Sequence, residues 1–103
     1  MTTSTNTFYV GDVGTELIVD VGSDISTSTV RKLYVRKPSG EEVIWTASIG
    51  NPDAYGKYTR ITYTIRTGDW DEAGWWSLQS YIEMPGWKGR GTTSKFELKA
   101  DYK

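Results

Sequence analysis

The alternation within residues 58–67 is the feature that most constrains what this chain can fold into. Ile61, Tyr63 and Ile65 point to one side of an extended backbone, and the Thr and Arg residues between them point to the other. Because side chains alternate between the two faces of a β-sheet, this pattern predicts a strand with one buried face. A helix would place the same side chains around its axis and leave no such division.

The same period recurs along the chain between turn-forming segments. We predict about seven antiparallel strands, over residues 8–10, 15–21, 28–37, 41–49, 58–67, 75–84 and 92–100. No stretch of ten residues carries an apolar stripe with the helical period. Short strands separated by turns rich in Gly, Pro and Asp are typical of an all-β fold, and we expect an immunoglobulin-like β-sandwich. Trp45 and Trp76 are predicted to lie in its core.

The length of 103 residues predicts one domain, over residues 8–103. Residues 1–7 are polar and uncharged, and we expect a disordered tail there rather than a signal peptide. No window is apolar enough for a membrane helix. Because the chain has no Cys, we expect it to be made in a reducing cytoplasm.

The composition argues against catalysis. The chain has no His and no Cys, which removes the commonest neutral-pH acid–base residue and the commonest thiol nucleophile. Its Ser and Thr residues therefore lack a His partner, and no Gly-x-Ser-x-Gly segment occurs. We predict a protein that is not an enzyme and that needs no cofactor.

The acidic residues Asp69, Asp71 and Glu72 form the densest carboxylate cluster in the sequence. Such oxygens could bind a hard cation such as Ca²⁺, although the spacing of an EF-hand loop is absent. Asp side chains in turns also bond routinely to nearby backbone amides, which is the commoner use of such a cluster. We therefore predict no metal site.

The Gly-rich segment 85–91 holds the first candidate binding site. Trp87 lies here among glycines, with the cations Lys88 and Arg90 beside it. Trp and Arg are enriched as anchors at protein interfaces, so a Trp at a hairpin tip is a candidate contact residue. The alternative is that Trp87 folds back onto the sheet and that the glycines only shape the hairpin.

The outward side of the strand over residues 75–84 is the second candidate. Trp75, Gln79 and Tyr81 share this face, whereas Trp76, Leu78 and Ile82 share the opposite one. An aromatic stripe of this kind could pack on a neighbouring subunit or stack on sugar rings. The alternative is that the N-terminal strand covers this face within the domain.

The strand over residues 28–37 carries four basic residues, Arg31, Lys32, Arg36 and Lys37. They could contact single-stranded nucleic acid together with nearby aromatics. The formal net charge of the chain is only −1, however, and cations often serve to protect an edge strand from pairing with other chains. Nucleic acid is therefore the disfavoured partner.

A local pattern near residue 71 resembles the corner that leads into the sixth strand of many immunoglobulin-like domains. It consists of Asp71, Gly74 and a large aromatic, here Trp76 in place of Tyr. An indole has no hydroxyl, so the usual hydroxyl-to-backbone bond of this corner cannot form.

Three segments, residues 8–15, 29–41 and 68–81, extend this likeness over most of the chain. Through them the chain resembles small phage-encoded immunoglobulin-like domains, similar to the amino-terminal domain of phage baseplate upper proteins. The resemblance implies a structural or interaction module of a phage, made in the host cytoplasm and associated with a virion, its tail or its baseplate. It implies a virion or host protein as partner, and self-association is compatible with the symmetry of phage structures.

Two other functions remain open from the sequence. One is a carbohydrate-binding module that uses Trp75, Tyr81 and Trp87 as stacking surfaces. The other is a small phage regulator that binds a host enzyme or a host signal molecule.

Overall fold

A computed structural model of the chain describes residues 8–91 and 93–100. These residues form β-strands joined by turns and loops, so the prediction of an all-β fold is confirmed. Within the same ranges no helix has the length and apolarity needed to cross a membrane. The tail predicted over residues 1–7 lies outside the described residues.

Nine strands are present in the described part of the chain. They are β1 (Phe8–Tyr9), β2 (Glu16–Asp20), β3 (Val30–Arg36), β4 (Glu42–Thr46), β5 (Ser48–Ile49), β6 (Arg60–Thr64), β7 (Gly74–Met84), β8 (Trp87–Arg90) and β9 (Ser94–Lys99). The structure thus has two strands more than the seven predicted. The predicted strand over residues 41–49 is divided at Ala47 into β4 and β5, which belong to different sheets. The predicted hairpin tip contains β8.

The strands form two sheets. The larger one has the order β1-β9-β7-β3-β4, and the smaller one has the order β2-β6-β5. The eleven-residue strand β7 is long enough to pair with two strands on one side, with β9 near its start and with β8 near its end. Strand β1 runs parallel to β9, so the expectation of antiparallel pairing throughout is wrong at this edge.

The two sheets face each other across one apolar core. The rings of Trp45 in β4 and Tyr63 in β6 stack between the sheets, 4.6 Å apart and 7° from parallel. Trp76 in β7 lies beside Trp45, with 6.4 Å between ring centroids. The buried residues that the alternation predicted are Leu33, Val35, Trp45, Ile61, Tyr63, Ile65, Trp76, Leu78, Ile82 and Leu98. Burial of Trp45 and Trp76 in the core is therefore confirmed.

Two further core residues come from segments outside the predicted strands. Trp70 lies in a polar stretch and is nevertheless almost completely buried, where its ring packs 5.2 Å from Phe8 and 5.7 Å from Phe96. Ile25 lies in the loop between β2 and β3 and is also buried. Each is a single apolar residue among polar neighbours, so neither produces a periodic signal.

The predicted corner before β7 closes through an indole instead of a hydroxyl. The Nε1–H of Trp76 donates a hydrogen bond of 3.0 Å to the carbonyl oxygen of Glu72. Gly74 has a φ of 125°, and a Cβ atom at this position would lie 2.9 Å from Cγ of Pro38. Glycine is therefore required here both by the backbone angle and by the close approach of the turn between β3 and β4.

The basic segment of β3 does not form an edge strand. β3 pairs with β4 on one side and with β7 on the other, so edge protection by its cations is the wrong interpretation. Lys37 is only 8% exposed, and its Nζ donates to Asp71 at 3.0 Å. Arg31 turns toward the inner side and donates to the carbonyl oxygen of Ser28. Lys37 and Arg31 are therefore structural residues and do not belong to one basic surface.

We predict that Trp76→Ala lowers the free energy of unfolding by about 3–5 kcal/mol, because it removes a fully buried aromatic ring and leaves a cavity. Trp87→Ala should cost less than about 1 kcal/mol, since this ring is 46% exposed. Equilibrium unfolding in urea, followed by circular dichroism, measures both values. A larger loss for Trp87→Ala than for Trp76→Ala would show that the assignment of inside and outside is reversed.

Candidate functional site

Successive side chains of strand β7 point alternately into the core and onto an open surface of the larger sheet. Trp76, Leu78, Ser80 and Ile82 are buried, whereas the residues between them point away from the smaller sheet. Trp75 has the most exposed of these outward side chains, at 62%. We call the side of the larger sheet that is turned away from the smaller sheet the outer face.

The predicted stripe on β7 lies on this outer face. Trp75, Gln79 and Tyr81 share it, and β1 does not cover them, because β1 lies at the sheet edge beside β9. Trp75 and Tyr81 are nevertheless separated by six residues, which is about 20 Å along an extended strand. The two aromatics therefore form separate patches on one face.

An aromatic cluster surrounds Tyr81. Its ring packs against Tyr34 of β3, with centroids 5.5 Å apart and planes tilted by 52°. The guanidinium of Arg90 lies 5.5 Å from the centroid of Tyr34, so the side chain crosses β7 to reach β3. The hydroxyl of Tyr81 donates to Glu83 at 2.6 Å, and this bond raises the pKa of Tyr81 above its ordinary value. Tyr34, Tyr81 and Arg90 thus support one another on the outer face.

The predicted hairpin site is divided between two faces. Lys88 and Arg90 pair with Glu83 and Tyr81, and they therefore project on the outer face. Trp87 pairs with Met84 and projects on the opposite side, where its ring lies directly over Gly89 and leaves no room for a Cβ atom there. The ring thus folds back on its own strand while remaining half-exposed. Trp87 does not lie together with the other candidate residues.

Gln79 is tied to the chain beyond the hairpin. Its Nε2 donates a hydrogen bond of 2.9 Å to the carbonyl oxygen of Gly91. This bond spans from β7 to the segment that follows β8, so it holds the end of the hairpin against the sheet. The amide group of Gln79 is therefore engaged within the chain, at the residue that follows Arg90 in the sequence.

Two residues of the outer face were not among the predicted site residues. Tyr34 alternates with buried Leu33 and Val35, and Ile44 alternates with Val43 and Trp45. Ile44 is 55% exposed, and Tyr34 lies between it and Gln79 in the cross-strand register. The alternation already placed both outward. Their proximity to β7 follows only from the strand order.

The outer face is richer in cations than the chain as a whole. Its cations are Lys32, Arg36, Lys88, Arg90, Lys95 and Lys99, and its carboxylates are Glu42, Glu83 and Glu97. Arg36 forms an ion pair with Glu42, and Lys99 lies 4.0 Å from Glu97. Because the whole chain has a net charge of −1, the residues outside this face include more acidic than basic residues.

The acidic cluster before β7 is occupied by contacts within the chain. Asp71 binds Nζ of Lys37, and this hydrogen bond raises the pKa of Lys37. Glu72 accepts from the amide and the hydroxyl of Ser39. Asp69 accepts from the hydroxyl of Tyr63 at 2.6 Å and from the amide of Arg66 at 2.8 Å. Asp69 thus caps its own turn, as the turn-capping interpretation expects, whereas Asp71 and Glu72 bind Lys37 and Ser39 in the segment between β3 and β4.

In the part of the chain that the structure describes, no three His, Cys, Asp or Glu residues are grouped so that they could hold a metal ion. A scan of the sequence against protein-family models finds no match, and a search among curated proteins finds none either.

The contact between Tyr63 and Asp69 generates a pH prediction. Burial, together with the hydrogen bond to Asp69, raises the pKa of Tyr63 from 10.0 to about 12. The folded state therefore holds this proton more tightly than the unfolded state does. The resulting stabilisation is fully present below pH 10 and is lost as the pH rises toward 12. A shift of this size corresponds to about 2–3 kcal/mol.

Chemical unfolding between pH 8 and pH 12 tests this prediction on the wild type and on Tyr63→Phe. The wild type should lose about 2–3 kcal/mol more than the variant across this range, because the variant has no phenol to titrate. Parallel curves for the two proteins would contradict the role assigned to this contact.

Proposed function

We propose that this chain is a non-enzymatic interaction module, an immunoglobulin-like β-sandwich that binds a protein partner through its outer face and the adjoining hairpin. The observation that carries this proposal is the combination of exposed Trp75 with the Tyr34–Tyr81–Arg90 cluster on one side of the larger sheet. Aromatic and Arg side chains are the residues most enriched among the anchors of protein interfaces.

The strand order supports the immunoglobulin-like part of the proposal. In such domains, the last, sixth and third strands lie together in one sheet, and the second, fifth and fourth strands lie in the other. Here β9, β7 and β3 are neighbours in the larger sheet, and β2, β6 and β5 form the smaller one. A short first strand that is parallel to the last strand, as β1 is to β9, completes this arrangement.

The resemblance of residues 8–15, 29–41 and 68–81 to phage baseplate domains supports the phage part of the proposal. On this basis the partner is a protein of the virion, its tail or its baseplate. A host protein, such as an enzyme bound by a phage regulator, is the other partner that the same surface could accept.

The charges of the outer face favour a partner with an acidic surface. Three cations of this face form no ion pair among the described residues, namely Lys88, Arg90 and Lys95. Interfaces with complementary charges associate faster and exclude partners of like charge. Nucleic acid remains the disfavoured partner because the formal net charge of −1 provides no strongly basic field.

A glycan is the second candidate ligand because the Trp75 ring is 62% exposed and could stack on a sugar. The Tyr34–Tyr81–Arg90 cluster is less suited to stacking on a sugar. Tyr34 and Tyr81 are tilted against each other, and Arg90 lies over the Tyr34 ring, so the two rings do not form a flat surface. A protein partner, which contacts ring edges and cations as well as ring faces, fits the outer face better.

A photo-crosslinking amino acid at Ser77 tests the proposal directly, because Ser77 lies on the outer face between Trp75 and Gln79. The matched control carries the same amino acid at Thr64, on the outer side of the smaller sheet. The protein is irradiated in the cells that produce it, and adducts are identified by mass spectrometry. We expect a discrete protein adduct from position 77 that is lost with Trp75→Ala or Arg90→Ala, and none from position 64.

Adducts of equal yield from both positions, or none from position 77, would contradict the proposal. A glycan array provides the complementary measurement. Specific sugar binding that Trp75→Ala abolishes, without any protein adduct at position 77, would replace the protein partner with a carbohydrate.

A further inference from the structure

Two strands of the described chain lie at sheet edges and share one pattern, a Glu at the first position and an exposed Ile at the centre. β4 reads Glu-Val-Ile-Trp-Thr and ends the larger sheet, and β2 reads Glu-Leu-Ile-Val-Asp and ends the smaller sheet. Each has an exposed Ile at its centre, with Ile44 at 55% and Ile18 at 59% exposure. The charge patterns of the two edges differ only at the last residue, which is the neutral Thr46 in β4 and the acidic Asp20 in β2.

The hydrogen-bond pattern determines which backbone groups of β4 face outward. The amide of Lys37 donates to Glu41, and the amide of Ala47 donates to Arg31, so the odd-numbered residues of β4 bond to β3. In an antiparallel pair the residues between these bonded positions direct their N–H and C=O groups to the other side. Glu42, Ile44 and Thr46 thus present donors and acceptors at the free side of the described sheet.

We infer that the β4 edge pairs with the β4 edge of a second copy of this chain, in an antiparallel dimer with its two-fold axis at Ile44. In this register the two Ile44 side chains meet on the outer face, and Glu42 lies opposite Thr46 of the second copy. Glu42 keeps its ion pair with Arg36, and no like charges are placed opposite each other. The contact is isologous, as closed dimers require.

The β2 edge cannot make the equivalent contact. The amide of Val21 donates to the carbonyl oxygen of Thr59, and the amide of Ile65 donates to the carbonyl oxygen of Thr15. The backbone N–H and C=O groups of Glu16, Ile18 and Asp20 therefore point to the free side of β2. Two-fold pairing about Ile18 would place Glu16 opposite Asp20 of the second copy, twice. Opposed like charges destabilise a strand pair and protect an edge from association. The β4 edge lacks this protection because Thr46 stands where β2 has Asp20.

The dimer would extend the outer face rather than cover it. Tyr34 lies opposite Ile44 in the register of β3 and β4. In the dimer the Tyr34–Tyr81–Arg90 clusters of the two copies would therefore lie on either side of a central pair of Ile44 side chains. This inference extends the proposed function by naming a second copy as one partner. It needs no other ligand, so its failure would leave the crosslinking experiment on the outer face unaffected.

Sedimentation equilibrium on the full chain, from micromolar to millimolar concentration, tests the inference. We expect the mass to rise from 11.6 kDa toward twice this value. Thr46→Asp gives β4 the charge pattern of β2 and should weaken dimerisation at least tenfold. Thr46 pairs with Lys32 within the chain, so the new carboxylate gains a favourable neighbour and folding should be preserved.

Ile44→Lys and Ile18→Lys form the matched pair of controls, since both replace the exposed central Ile of an edge strand. The first should dissociate the dimer, and the second should leave its dissociation constant unchanged within twofold. A chain that stays monomeric at all concentrations would overturn the inference, and so would a dimer that only Ile18→Lys disrupts. Slow hydrogen exchange at Ile44 in a monomer would show that another segment of the chain occupies this edge, which would also overturn it.

Discussion

The stack of Trp45 on Tyr63 is the contact on which the rest of the structure depends. The two rings lie 4.6 Å apart and nearly parallel, and they belong to different sheets. Between β4 and β6 the chain leaves the larger sheet at Ala47 and enters the smaller one, so the stack joins the two sheets just beside this crossing. Trp76 packs on Trp45, and its indole bond to Glu72 connects the core to the corner before β7. The core and the main turn are thus held by one set of aromatic contacts.

The outer face is a direct consequence of this core. Because β3, β4 and β7 each direct alternate residues at the aromatic contacts, their remaining side chains must point away from the smaller sheet. Ile44, Tyr34, Trp75 and Tyr81 are placed outward in this way, and Arg90 joins them through the pairing of β8 with β7. This apolar and cationic surface on a rigid two-sheet core is the surface that we propose to bind a partner.

The sequence was most informative where alternation is continuous. It predicted the all-β class and the burial of Trp45, Ile61, Tyr63 and Trp76, since each lies in a run with period two. It did not reveal Trp70 as a core residue, because one aromatic in a polar segment has no period. The charge of Lys37 suggested solvent, whereas its ammonium group lies 5.9 Å from the centre of the Trp76 ring and donates a hydrogen bond to Asp71.

The candidate site was predicted only in part, for a related reason. Alternation placed Trp75, Gln79 and Tyr81 on one face, but the strand order that adds Tyr34 and Ile44 depends on contacts between distant segments. Trp87 and Arg90 project on opposite sides of β8 because they lie three residues apart in a strand, and the pairing with β7 places Arg90 on the outer face. Local composition predicts a Gly-rich hairpin tip here and not a strand.

Thiol labelling of β7 tests the division between core and outer face most directly, because the chain has no Cys of its own. Ser77→Cys and Ser80→Cys are near-isosteric changes in the same strand, at an outward position and at a position that is only 2% exposed. The structure predicts that a maleimide reacts with position 77 in the native protein at least a hundredfold faster than with position 80, and at equal rates once both are unfolded. Equal native rates, or faster labelling of position 80, would contradict the account.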